Sequence, residues 1–283
     1  MIAANLLNIF LNWILIFGHL GAEQLGATGS AYATSVARWF AVVLVFGYIW
    51  RRVDHAKCGL TGALPEARAI GRQLRSVGWP LSAAHGLETA AFSVMTIFAA
   101  WAGVAHIAMY QVTINMMGLV FMVALGLGGA ASVRVGRAVG RGASDEVRLA
   151  GITAISIGLG LSLVFSLLMF LLPETLTGIY TLDAQVLSLA VATLSVAAFA
   201  TFADCAHGVT MGALRGTGDV WPATIMYLFS FWCVMLPLGY ILAIDRQLGA
   251  PGLVMAVAVG AALAAVLLGV RFYRVSGRVI ARR

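Results

Sequence analysis

Residues 184–213 read AQVLSLAVATLSVAAFATFADCAHGVTMGA. After Gln185, one acid, Asp204, and one histidine, His207, interrupt a run of apolar, small and hydroxyl-bearing residues. A helix crossing about 30 Å of hydrocarbon needs roughly 20 largely apolar residues. The stretch therefore predicts a membrane span that holds an ionisable pair in its interior.

The rest of the chain extends that reading. Of its 283 residues, 61% are hydrophobic and only 10% charged, with a mean hydropathy of +0.95, whereas soluble domains carry about 25% charged residues. So little charge excludes a soluble globular enzyme. Eight stretches are long and apolar enough to span: 2–18, 27–50, 77–100, 104–130, 150–172, 184–213, 221–243 and 250–272. The expected fold is an all-α polytopic membrane protein with eight transmembrane helices.

Charge sets the orientation. With eight spans, the links 51–76, 131–149 and 214–220 and the tail from Arg271 share one face and hold sixteen of the 18 basic residues. The opposite links hold Arg246 alone, and Arg38 lies inside the second span. By the positive-inside rule the basic face and both termini are cytoplasmic in a cell (inner) membrane. That asymmetry accounts for the net charge of +7 without nucleic acid as a partner. Cys58, Cys205 and Cys233 form no C-x-x-C pair, so neither a disulfide framework nor a zinc site is expected. Residues 1–18 lack a basic n-region and a small-residue cleavage pattern, so no secretory signal is expected.

Leu25-Gly26-Ala27-Thr28-Gly29 joins the first two spans and Leu248-Gly249-Ala250-Pro251-Gly252 the last two. Both hairpins end in cytoplasmic basic clusters, so they are read as equivalent ends of two parallel repeats. On that reading residues 1–50 are the last two spans of an N-terminal lobe and 77–272 a six-span C-terminal lobe. Residues 51–76 form the cytoplasmic linker and 273–283 a basic cytoplasmic tail. Four spans of the first lobe are expected to be missing. Residues 65–75 are read either as a short basic amphipathic helix on the membrane surface or as a solvated loop.

Two acids stand away from loops and span ends. Glu88 lies 13 residues from both Arg75 and Trp101, about 20 Å at 1.5 Å per residue. Asp204 lies 11 residues from Arg215, about 16 Å by the same rise. An acid near the midplane costs at least about 2.5–3.5 kcal/mol, and such residues face cavities or ion pathways. A protonated carboxyl there carries H⁺, and an ionised one binds a cation such as Na⁺, for which Glu88 and Asp204 are the metal ligands. The alternative is a protonated carboxyl hydrogen-bonded between helices. His85 and His207 sit at i,i+3 from these acids, as supporting groups that donate to or titrate with them, or as interhelical hydrogen bonds. Gln111, Thr113, Asn115 and Thr201 add polar groups, either to the cavity or to helix–helix contacts. Pro80 is positioned to kink the helix near Glu88. Met95, Met116, Met117 and Met122 with Phe92, Phe98 and Phe121 line either an adaptable cavity for apolar cargo or the lipid face. No phosphate-cradling G-x-x-x-x-G-K-[ST] is present, and no enzyme activity or cofactor is expected.

Gln111-Val112-Thr113-Ile114-Asn115, the segment Ala124 to Gly140, Gly212-Ala213-Leu214-Arg215-Gly216 with Asp219, and Leu236-Pro237-Leu238-Gly239-Tyr240 together resemble the NorM-like branch of the multidrug and toxic compound extrusion (MATE) transporters. The resemblance implies twelve spans in two six-span lobes, with residues 1–50 corresponding to spans five and six. It also implies export of cationic or amphipathic compounds in exchange for H⁺ or Na⁺, with Glu88 and Asp204 as the C-lobe cation site. The implied partners are the bilayer, small-molecule drugs or toxins, the coupling cation and a missing or separately encoded N-terminal lobe. The aromatic that members of this branch can carry four residues before the span-ten acid is here Ala200. The rival readings are a lipid or oligosaccharide flippase of related architecture and a non-transporting truncated remnant. Transport measured against pH in His85→Gln and His207→Gln variants tests the histidines: displaced pH profiles are expected, and unchanged profiles would remove their titrating role.

Overall fold

A computed structural model describes residues 2–21, 23–52 and 67–281. Its elements are α1 (Ile2–Phe17), α2 (Gly26–Arg52), α3 (Ala67–Ala102), α4 (Val104–Gly140), α5 (Ser144–Leu171), α6 (Pro173–Gly178), α7 (Ala184–Gly216), α8 (Val220–Leu228), α9 (Leu236–Tyr240) and α10 (Gly249–Ala281). Two π-helical segments, Phe229–Met235 and Ile241–Asp245, flank α9. Among the described residues, six segments are long and apolar enough to cross a membrane: Gly26–Arg52, Val104–Gly140, Ser144–Leu171, Ala184–Gly216, Val220–Asp245 and Gly249–Gly277.

Two of the eight expected spans fall outside that set. The 2–18 stretch is the 16-residue helix Ile2–Phe17, short for the hydrocarbon thickness. The 77–100 stretch belongs to α3, which is 36 residues long but carries His85 and Glu88 in its middle, where they lower its apolarity. The 65–75 reading also changes. Residues 67–75 are the opening turns of α3, continuous with the rest of that helix through Pro80, and not a separate surface helix. Gly71 and Gly78 weaken helix propensity by about 1 kcal/mol each, too little to break the rod. The remainder of the proposed linker, residues 53–66, lies outside the described residues.

The chain divides into two compact units, Met1–Ile70 and Gly71–Arg283. In the first, α1 packs against α2. In the second, α7 is the central helix, packed against α4, α5 and α10. The α4–α7 seam is made of small residues on both sides. Ala124, Gly128, Ser132 and Gly136 recur every fourth residue on α4, and Gly208, Gly212 and Gly216 do so on α7. A Cβ built on Gly212 would stand 2.2 Å from the Gly128 carbonyl oxygen, and one on Gly216 2.7 Å from that of Ser132. Such backbone approach is how apolar helices associate where no hydrophobic effect drives them together.

The two matching hairpin motifs fold alike. Gly26 and Gly249 both have positive φ, at 53° and 57°, and each opens a helix. Leu25 N–H donates to Leu15 O at 3.0 Å, and Leu248 N–H to Leu242 O at 3.1 Å. Three residues on, Gly29 and Gly252 each lie against the backbone of the preceding helical segment, at Leu15 and Leu242. His106 on α4 completes the second hairpin, its Nδ1 accepting the Ala250 N–H at 3.2 Å.

At the end of the second unit that carries Arg215, Arg271 donates through Nε and Nη2 to the two Asp219 carboxylate oxygens at 2.7 and 2.8 Å. The Arg148 guanidinium lies 4.1 Å from the Tyr273 ring centre. These contacts tie α10 to the start of α8 and to α5. The seam predicts that Gly212→Ala, which places a methyl against backbone that cannot rotate away, destabilises the protein by about 1–3 kcal/mol. Gly126→Ala, with nothing within 4 Å, is expected to leave the thermal midpoint in detergent unchanged.

Candidate functional site

Helix α3 brings His85, Glu88 and Phe92 toward the centre of the second unit. Helix α7 brings Thr201, Asp204 and His207, and the segment Val220–Met235 brings Tyr227 and Phe231. Each acid meets the histidine of its own helix: His85 Nδ1 lies 3.3 Å from Glu88 Oε2, and His207 Nδ1 lies 3.5 Å from Asp204 Oδ1. The pairs differ in exposure. The His85 side chain is 49% exposed, whereas that of His207 is 3% exposed.

Glu88 and Asp204 line one cleft of about 390 Å³, together with Phe92, Ile114, Met117 and Phe121. Glu88 also borders a second space of about 20 Å³, walled by His85, His207, Arg215 and Tyr227. That volume suffices for about one water molecule. The Glu88 carboxylate thus stands at the boundary of both spaces, within electrostatic reach of Asp204, Arg215 and Tyr227. Two buried polar atoms stand beside the smaller space: Tyr227 Oη, within reach of the Glu88 carboxylate, and His207 Nδ1, beside Asp204 Oδ1.

An aromatic box holds His207. Its ring stacks with Phe121, at 6.0 Å and 29°, and with Tyr227, at 5.3 Å and 24°, and Phe231 lies tilted against it at 5.6 Å. Phe231 is fully buried and also touches Phe92 and Tyr227. The π-helical turn makes this possible. Leu236 N–H bonds back five residues to Phe231 O, just ahead of Pro237, which has no N–H to give. In the same segment Trp232 Nε1 donates to Leu87 O at 3.1 Å, fastening α3 one residue before Glu88.

The other sequence candidates are placed elsewhere. Thr201 is buried, its hydroxyl donating to Ala197 O at 2.7 Å on its own helix and lying 3.5 Å from Met169 Sδ of α5. Thr113 likewise donates to Met109 O at 2.9 Å. Gln111 is exposed, and Asn115 accepts from the Tyr180 hydroxyl at 3.1 Å. None of these four lines the Glu88–Asp204 cleft. Of the methionine–phenylalanine set, Met117, Phe92 and Phe121 line it, while Met95 is buried against Gly239 and Met122 is 64% exposed. Arg215, Tyr227 and Phe231 were not among the sequence candidates. Tyr227 and Phe231 stand four residues apart, the signal that they share a helix face. Among the described residues, no group of three or more His, Cys, Asp or Glu is arranged to hold a metal ion. Two carboxylates offer instead the hard oxygen donors suited to a proton or an alkali cation.

Long apolar helices packed through glycine, with two acids brought to an internal cleft, define a multi-pass helical membrane protein. A sequence model of the MatE family matches residues 80–241. Multidrug resistance protein NorM of Vibrio cholerae is 34% identical over 275 residues, covering 95% of this chain and 60% of that protein. Multidrug resistance protein PmpM of Pseudomonas aeruginosa is 32% identical over 285 residues, covering 99% and 60%. The crystal structure of the eukaryotic MATE transporter AtDTX14 superposes with a TM-score of 0.81 at 21% identity, covering 99% of this chain and 63% of that one. The chain belongs to the MatE family, and it spans about 60% of the length of the curated relatives it matches.

The box generates a stability prediction. Phe231→Ala removes a fully buried ring from between α3, α7 and α8 and is expected to cost about 3–5 kcal/mol. Phe231→Leu is expected to retain most of that, as read by the thermal midpoint of the purified protein in detergent.

Proposed function

We propose that this chain supplies the cation-binding lobe of a multidrug efflux antiporter that exports cationic or amphipathic compounds in exchange for H⁺ or Na⁺. The observation that carries the reading is the convergence of Glu88 and Asp204, from two different helices, on one cleft. Acids inside a membrane protein are costly unless they face a cavity or a partner, and here both face the same one. The names of the NorM and PmpM relatives support the efflux reading.

In this proposal Glu88 and Asp204 take up the ion, with His85 and His207 beside them. Phe92, Met117 and Phe121 offer an apolar, adaptable wall to the drug. A ligand shifts a conformational equilibrium only by its differential affinity for the two states. Charge neutralisation at Glu88, which borders both spaces, is that difference. Residues 77–272 form the six-span C-terminal lobe and residues 1–50 two helices of an N-terminal lobe, giving eight spans with both ends cytoplasmic. Alternating access rocks two such lobes against each other, so export requires the counterpart of residues 77–272.

Trp232, bonded to the residue before Glu88, gives a direct readout on the chain itself. Titrating NaCl, or acid in its absence, into the purified protein is expected to change its tryptophan emission saturably. Glu88→Gln and Asp204→Asn are each expected to abolish that change, and Trp232→Phe to remove the signal. Co-expression with an N-terminal lobe should lower ethidium accumulation in cells, and Glu88→Gln should restore it. Retained export in the Glu88→Gln variant would refute the assigned site.

A further inference from the structure

A second built feature lies away from the carboxylates, where α4 and α5 fold back on each other through the link at residues 141–143. Between them runs a groove of about 840 Å³. On α4 its wall is Leu127, Ala130, Arg134, Arg137 and Arg141, positions that recur every three or four residues and so share one helix face. On α5 it runs from Glu146 through Thr153 to Ile157. The groove is therefore graded along its length, from hydrocarbon at the Leu127–Ile157 end to guanidinium at the α4–α5 link. Leu127 and Arg141 are separated by about 21 Å of helix rise.

The charge at the basic end is not consumed internally. Arg141 is hydrogen-bonded to Glu146, whereas Arg134 and Arg137 are exposed and make no ion pair among the described residues. Three guanidiniums less one carboxylate leave the groove at +2. Helix α4 has 37 residues, about 55 Å at 1.5 Å per residue, well beyond the roughly 30 Å of hydrocarbon. Its arginine-bearing end therefore projects to the level of lipid headgroups, while Leu127 and Ile157 lie at the level of acyl chains. A free anion has a use for only one end of such a groove.

We infer that the α4–α5 groove binds an anionic phospholipid, its phosphates on Arg134 and Arg137 and an acyl chain along Leu127, Ala130 and Ile157. A lipid bearing two phosphates complements the +2 charge best. Basic pockets between helices at the membrane surface hold acidic headgroups by the same logic. The Arg141–Glu146 contact spans the link between the two helix ends. The site does not share a lining residue with the Glu88–Asp204 cleft, so it stands whether or not the antiport reading holds.

The test uses the full 283-residue chain purified in detergent, with tetraoleoyl cardiolipin, dioleoyl phosphatidylcholine and inorganic phosphate as separate additives. Binding is read by native mass spectrometry and by the thermal midpoint. Cardiolipin is expected to bind and to raise the midpoint, while phosphatidylcholine and phosphate do neither. The double variant R134Q/R137Q is expected to bind cardiolipin about twenty-five-fold more weakly, from about a factor of five per basic residue. Ile157→Trp, which fills the apolar end from the other helix and leaves every arginine in place, is also expected to weaken binding. Undiminished cardiolipin binding by either variant, provided its midpoint without lipid matches that of the parent, would overturn the inference. Equal protection by phosphate alone or by phosphatidylcholine would overturn it too.

Discussion

Two backbones touch where α4 passes α7. Gly212 lies so close to the Gly128 backbone that it admits no methyl, and the rest of the second unit is arranged around that contact. Because α4 lies this near, Phe121 reaches the ring of His207. Because α7 is central, the same histidine also meets Tyr227 and Phe231, and Gly158 of α5 fits against Val209 and Cys205. In lipid, where burying apolar surface against a neighbouring helix gains little over leaving it against acyl chains, close packing and a few interior polar contacts must hold helices together. Small residues at fixed spacing are how this chain obtains that packing.

The acids follow from the same geometry. Glu88 and Asp204 come from helices far apart in sequence, and each keeps a histidine at i,i+3 on its own helix. The inter-helix partners are of another kind: aromatic faces, one arginine and the edge of a cleft. That division gives each carboxylate a local companion that travels with its helix and a shared space that depends on where the neighbouring helices stand. Trp232 adds a tether, since its indole holds the backbone next to Glu88 from the π-helical segment.

Much of this was legible in the residues, for reasons that also mark where legibility ends. Asp204 and Glu88 were visible because charge in an apolar run is conspicuous, and the partner histidines because i,i+3 spacing is a local property. The Leu-Gly-Ala-x-Gly hairpins were visible as a repeat, and they adopt the same local turn. Thr201, Gln111 and Asn115 show the limit. Their polarity suggested cavity lining, but a hydroxyl or amide can bond its own helix or a loop tyrosine at no cost in sequence pattern. Arg215, Tyr227 and Phe231 were hidden because their proximity to Glu88 and His207 arises only when helices pack. Helix α3 shows a subtler effect: the groups that make it chemically interesting also make it the least membrane-like of the long helices in the second unit.

The π-helical turn at Phe229–Met235 carries a consequence for how this segment tolerates changes in length. A π turn accommodates one residue more than the α-helix it interrupts, so the segment behaves as an α-helix with a single-residue insertion absorbed in place. Each residue of an α-helix turns about 100°, and a plain insertion would rotate everything downstream by that amount relative to Tyr227. Absorbing the extra residue in the wide turn avoids that rotation, so Met235 still meets Gly260. Losing one residue inside the turn would return it to α-helix with the downstream faces kept, whereas losing one from the α-helical residues before it would turn those faces away. The segment thus carries one spare residue of length beside the buried histidine.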